Sequence, residues 1–186
     1  MDTTSNTQST GHKGGMRERI LDSADRIARE SGAANVALDA VAASAGVSKG
    51  GLLYHFPSKQ ALLTALVDRH VERFEAEVAE RSKAASGPSG QLRAYLDASL
   101  EDCRQMPSTG ALAAMVQQPD LLRPVRDFKR RALDRMLTSA PDAGAALVLF
   151  LALDGLRSLK LFDLDILTDG ERQLAIDALR RLIDAA

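Results

Sequence analysis

Ser48, Lys49, Tyr54, His55 and Lys59 are close enough in this chain, and of the right types, to recognise a polyanion together. Lys49 is a donor suited to guanine O6 or N7 in a major groove. Tyr54 and His55 carry donors that can hold phosphate oxygens, which fixes register without reading sequence. Lys59, beside Ser58 at the start of a helix, makes a second phosphate clamp. Gly50 and Gly51 lack side chains, so the backbone there can approach a groove closely. Each glycine weakens a helix by about 1 kcal/mol relative to alanine, so a pair in so short a helix favours access over stability. Singly, each of these residues reads more simply as a solvated surface group. Their grouping is the argument.

The elements around them must supply the positioning. Leu38 to Ala45 reads as a short helix broken at Gly46, with Ser48 as N-cap of another short helix over Lys49 to Phe56. Pro57 ends it, and Ser58 caps a much longer helix whose apolar face includes Leu62, Leu66, Val67, Phe74 and Val78. Two short helices meeting at a tight turn need a small residue at their approach, which Ala42 provides. They need a residue that tolerates positive φ at the turn, which Gly46 provides. Val41, Ala45, Val47 and Leu52 fall where apolar anchors would hold the crossing angle. This is the pattern of a DNA-binding helix-turn-helix, whose second helix lies in the major groove.

The run Gly46-Val47-Ser48-Lys49-Gly50-Gly51-Leu52-Leu53-Tyr54-His55-Phe56-Pro57-Ser58-Lys59-Gln60-Ala61-Leu62-Leu63 resembles the signature of TetR-family repressors, within a match from about Arg17 to Val67. The resemblance implies a three-helix DNA-binding domain, a fourth helix linking it to a variable effector domain, and a homodimer. One departure stands out. Many members carry Tyr where this chain has Leu53 and Thr where it has Gly51. Leu53 cannot donate to phosphate, although it can pack against a thymine methyl, and the adjacent Tyr54 is placed to take over the anchoring. An operator sequence does not carry over from relatives.

The remaining chain reads as all-α. Residues 1–15, rich in Thr, Ser, Gly and Gln, read as a disordered arm in which Lys13, with Arg17, could reach a minor groove. A first helix follows with apolar residues at Met16, Ile20, Ala24, Ile27 and Ala28, stopped at Gly32. After the loop Ser86-Gly87-Pro88-Ser89-Gly90, helices are expected over Gln91 to Gln105, Thr109 to Gln117, Leu121 to Thr138, Asp142 to Phe162 and Gly170 to Ala185. The domains expected are the arm, a reading head over 16–57, and an effector-binding and dimerisation domain over 58–186 whose residues 58–84 form the connecting helix.

Within that body, candidate effector-lining residues lie on the apolar faces of the central helices: Leu92, Tyr95, Ser99, Cys103, Leu112, Met115, Val116, Phe128 and Met136. Most are expected to be core. Asp154 interrupts an apolar run, so its carboxylate must be paired, hydrated or protonated. Pairing with Arg157 or with another helix is favoured over reception of a cationic effector. The charges of Arg123, Asp127, Arg130, Arg131 and Asp134 interleave as a solvated, ion-paired helix face. The helix at 142–162 is apolar nearly all round, too much for one small monomer, and the one at 170–185 offers further apolar residues. Leu147, Phe150, Leu151, Leu174, Leu179, Leu182 and Ile183 are therefore expected at a dimer interface built as a four-helix bundle.

Composition agrees with a soluble helical protein: 186 residues, 45% hydrophobic and 26% charged. The formal charge of −1 does not advertise a nucleic-acid binder, but a local set of donors is enough for a small reading head. One cysteine excludes an internal disulfide and fits a reducing cytoplasm. With three histidines and no Cys/His spacing of a metal site, no catalytic residue, metal or cofactor is expected. The partners implied are a palindromic double-stranded DNA operator, a second copy and a small-molecule effector, with no membrane. The rival reading keeps the helix-turn-helix but has the body dock a protein.

Overall fold

The computed structural model describes residues 15–32, 35–87, 89–105, 122–162 and 164–185. The arm before Gly15 and the helix expected over Thr109 to Gln117, with Leu112, Met115 and Val116, lie outside the described residues. Among those described there are eight α-helices: α1 (Met16–Ser31), α2 (Leu38–Ala45), α3 (Lys49–His55), α4 (Lys59–Ala84), α5 (Gly90–Gln105), α6 (Arg123–Ser139), α7 (Ala143–Leu161) and α8 (Asp169–Ala185). None is long and apolar enough to cross a membrane.

The first three helices and the start of α4 share one core. Ile20, Leu21, Ala24, Val36, Val41, Ala42, Ala45, Leu52 and Phe56 are buried there together with Leu62 and Leu63. Met16, expected on the apolar face of α1, is exposed instead, and Leu21 is buried. Gly32 ends α1 at φ 86°, and its N–H donates to Ala28 O at 2.9 Å.

The second core lies between the rest of α4 and the body. It gathers Val71, Phe74 and Val78 of α4, Leu92, Tyr95 and Leu96 of α5, Phe128 and Met136 of α6, Leu149, Phe150 and Leu153 of α7, and Leu179 and Ile183 of α8. Aromatic rings form its centre. Phe74 meets Tyr95 and Phe128 edge-on at 5.9 and 5.3 Å between centroids, and Tyr95 stacks on Phe150 at 5.9 Å.

Side-chain caps set where the body helices begin. Asp142 Oδ1 accepts from Gly144 N at 2.7 Å and Ala145 N at 3.1 Å to open α7. Thr168 and Glu171 cap α8 reciprocally: Thr168 N donates to Glu171 Oε2 at 2.9 Å, and Glu171 N donates to Thr168 Oγ1 at 3.3 Å. Pro124 sits in the first turn of α6, where a missing N–H is tolerated.

Asp154 takes the second of its two expected pairings, with another helix: it meets Lys129 of α6, while Arg157 reaches Asp102 of α5 at 3.0 Å. Arg131 does not meet Asp127; it crosses to Glu75 of α4 at 3.0 Å. In both cases the partner stands on a neighbouring helix, because helix packing brings the opposite charge closer than the local spacing does. Arg130 and Asp134 pair at 2.5 Å and Arg123 and Asp127 at 4.0 Å, as the interleaving predicts.

Candidate nucleic-acid interface

The turn between α2 and α3 is built as the sequence suggests. Gly46 adopts φ 66° and ψ 39°, a left-handed conformation, while its N–H and that of Val47 close on Ala43 O at 3.2 Å and Ala42 O at 3.0 Å. Ala42 and Ala45 are buried under the turn, which lets α3 come close. Ser48 Oγ accepts from Gly51 N at 3.1 Å and opens α3. Leu52 is fully buried and anchors the helix to the head core. That single anchor decides which face of α3 looks outward.

Tyr54 is 85% exposed and stands at the end of that face, its ring edge-on to His55 at 5.2 Å. Lys49 is exposed in the first turn, where its Nζ lies 2.9 Å from Asp39 Oδ1 of α2. Leu53 and His55 are half-buried. A Cβ on Gly50 would meet nothing nearer than Ser48 Oγ at 4.0 Å, so this glycine faces open space, as close approach to a groove requires. Gly51 is different. A Cβ there would lie 3.3 Å from Ser48 Oγ and 3.9 Å from Met16 Sδ, so the bare α-carbon makes room for the cap. Ser58 Oγ accepts from Ala61 N at 3.0 Å and opens α4, which places Lys59 in that helix's first turn. Arg17, read with the arm, sits over the Phe56 ring at 5.4 Å and pairs with Glu18 at 3.2 Å.

Some of the body residues named from the sequence come together among the described residues. Leu92, Tyr95, Phe128 and Met136 are all in the second core, and Ser99 is buried beside it. Burial pushes the Tyr95 phenol up to about 12 and raises the Cys103 thiol above its ordinary value. Of the residues expected at the dimer interface, Phe150, Leu179 and Ile183 belong to the chain's own core, and Leu182 is half-buried. Leu147, Leu151 and Leu174 remain 41%, 59% and 69% exposed, with Val148 open beside them.

A charged network in the body was not visible in the sequence. Asp102 of α5 lies 3.0 Å from Arg157 of α7 and 3.3 Å from His70 of α4. The Arg157 guanidinium lies over the Phe74 ring at 5.0 Å. Burial lowers the His70 pKa and outweighs the neighbouring carboxylate. These residues are far apart in sequence, so no periodicity announces them. Asp39 was missed for the same reason, since only the helix-turn-helix crossing brings it to Lys49.

Two family models match separate parts of the chain. Residues 20–66 match the family model of bacterial regulatory proteins of the tetR family, and residues 89–184 match the tetracyclin repressor-like C-terminal domain. The HTH-type transcriptional repressor KstR of Mycolicibacterium smegmatis is 38% identical over 76 residues, covering 41% of this chain and 37% of that protein. The chain spans about half the length of the curated relatives it matches first, at 50% of each. Among solved structures, SCO4454, a TetR-family transcriptional regulator from Streptomyces coelicolor, superposes with a TM-score of 0.71 at 23% identity, covering 91% of this chain and 93% of that one. The multidrug binding protein EbrR complexed with malachite green superposes with a TM-score of 0.62 at 25% identity, covering 89% of this chain and 96% of that one. With one model on the reading head and another over more than half of its length, this chain belongs to the TetR family of bacterial regulatory proteins.

Proposed function

We propose that the chain is a DNA-binding transcriptional repressor that acts as a homodimer on a palindromic operator and leaves it when a small molecule binds the helical body. One observation carries this reading: the left-handed turn at Gly46 and the cap at Ser48 seat α3 on Leu52 and leave Lys49, Gly50 and Tyr54 outward. An exposed first turn with a cation, a bare backbone and a phenol is what a groove-reading helix presents. The open Leu147, Val148, Leu151 and Leu174 support a second copy against α7 and α8. Two copies would set their α3 helices about one DNA turn, ~34 Å, apart.

The effector reading draws on the family and on EbrR, described as a multidrug binding protein. Leu92, Tyr95, Ser99, Cys103, Phe128 and Met136 would line its site, and since several are packed in the core, entry requires that core to open. Asp154, held by Lys129, has a structural role in this scheme. Asp154→Asn should then leave the dose response of effector-induced release unchanged, whereas a shifted response would move the carboxylate into the site.

Fluorescence anisotropy with a duplex from upstream of the chain's own gene tests the whole reading. The expected result is a preference over scrambled duplex of about a thousandfold or more, with affinity falling steeply between 50 and 200 mM salt. Equal binding to both duplexes at low salt would sink it.

A further inference from the structure

Helix α4 belongs to two cores in turn. Leu62 and Leu63 are buried with the reading head and Leu66 packs against them, whereas Val67, Val71, Phe74 and Val78 pack with the body. The change falls between Leu66 and Val67, and Arg69 lies just past it. Its guanidinium turns back to α1. One nitrogen donates to Asp22 Oδ1 at 2.7 Å and the other to Leu21 O at 3.0 Å, while Glu18 Oε2 lies 3.7 Å away. The Arg69 side chain is 17% exposed, so water screens these contacts only in part.

A planar guanidinium that meets a carboxylate and a backbone carbonyl at once is held in orientation as well as position, which an ammonium cannot reproduce. Beside this tie lies a cleft of about 590 Å³, with Arg17 and Glu18 of α1, Asp68 and Glu72 of α4, and Pro124 and Asp127 of α6 among its walls. Among the described residues, side-chain packing does not fill that space. Past the shared core at Leu62 and Leu63, Arg69 is what reaches from the body end of α4 to α1.

We propose that Arg69 is a positioning residue for DNA recognition: by tying α1 to the body end of α4, it fixes the angle at which the reading head leaves the body. That angle sets the separation of the two heads in a dimer. The inference rests on the DNA-binding reading above, yet it makes a demand of its own. Arg69 faces α1 and not the outward side of α3, so its loss leaves each head able to read a half-site. What is lost is the penalty for a wrongly spaced pair of half-sites.

The test uses the full chain carrying Arg69→Met, which keeps the apolar stem, and Arg69→Lys, which keeps the charge. Asp22→Ala removes the shortest contact of the tie from its exposed partner, so a folding defect at Arg69 cannot decide the outcome. Affinity is measured for the operator, for a single half-site, and for operators with one or two base pairs inserted between half-sites. Wild type should lose about a hundredfold on the altered spacings, and Arg69→Met and Asp22→Ala less than about tenfold, with half-site affinity within about twofold of wild type throughout. Arg69→Lys should fall between them.

A second readout needs no DNA. Nitroxides at Ala43→Cys and Thr138→Cys, in a Cys103→Ser chain diluted with unlabelled protein, report the head-to-body distance distribution. Arg69→Met should broaden it. An unchanged distribution, or a spacing profile identical to wild type, overturns the proposal, as does an equal loss on half-site and operator. A wild-type chain that prefers no operator would fail the DNA reading, and the distance measurement would still decide whether Arg69 holds the head.

Discussion

Lys49 pairs with the Asp39 carboxylate 2.9 Å away, and in the proposed DNA complex it would exchange that partner for a base edge or phosphate. The exposed pair contributes little to stability, so the exchange is cheap. Asp39→Asn should therefore tighten DNA binding and steepen its salt dependence by about one counterion, while Lys49→Ala should weaken it by about 1–3 kcal/mol. Anisotropy titrations from 50 to 200 mM salt check both, and equal slopes for Asp39→Asn and wild type would dissolve the competition. Cys103 gives a second residue-scale expectation. Burial raises its pKa, so less thiolate is present at any given pH than in a free thiol. Alkylation by iodoacetamide at pH 8 should run slower than for a model thiol and recover in urea. At this scale the sequence was readable where a residue acts through its own neighbours, as Ser48 and Ser58 do in capping α3 and α4. Where the partner comes from another helix its identity was not readable: Asp154 was expected to pair, locally or with another helix, but not with Lys129 by name, nor Arg157 with Asp102 or Arg131 with Glu75.

The helices themselves were legible because their ends are written in local chemistry. Gly32 and Gly46 stop α1 and α2 with positive φ, and Asp142 opens α7, so periodicity and punctuation agree to within a residue or two. The faces were less legible. A helix that is apolar nearly all round does not say which side meets its own core, and so Phe150 turned inward while Leu147 and Leu151 stayed open. Two substitutions probe the reading head at this scale. Gly46→Ala forces a Cβ into the left-handed region, and should destabilise the fold by about 1–2 kcal/mol. Ser48→Ala removes the cap of a seven-residue helix and should lower stability by about 1 kcal/mol while weakening operator binding more than thermal stability suggests. Chemical denaturation paired with anisotropy separates the two effects. A Ser48→Ala chain with unaltered DNA affinity would mean that α3 does not depend on its cap.

Among the described residues, Leu147, Val148 and Leu151 stand exposed on α7 at helical spacing, and Leu174 is exposed on α8. Leu151→Asp should convert the proposed dimer into a folded monomer, visible as a halved mass by light scattering at micromolar concentration. Helical circular dichroism should be preserved and operator binding lost. A variant that stays dimeric would move the interface elsewhere. Which copy faces which was beyond the sequence, because a self-complementary surface is defined by three-dimensional shape and not by spacing along one helix. The continuity of α4 across the two cores has a mechanical consequence. About ten residues separate Arg69 from the Ser58 cap, a lever arm of ~15 Å at 1.5 Å per residue. A tilt of ~10° about that fulcrum would sweep the DNA-facing end through ~2.6 Å, most of the ~3.4 Å that separates successive base pairs. Mirrored in a second copy, the displacement doubles to more than one base-pair step, so a rearrangement too small to disturb either core suffices to put both heads out of phase with their sites.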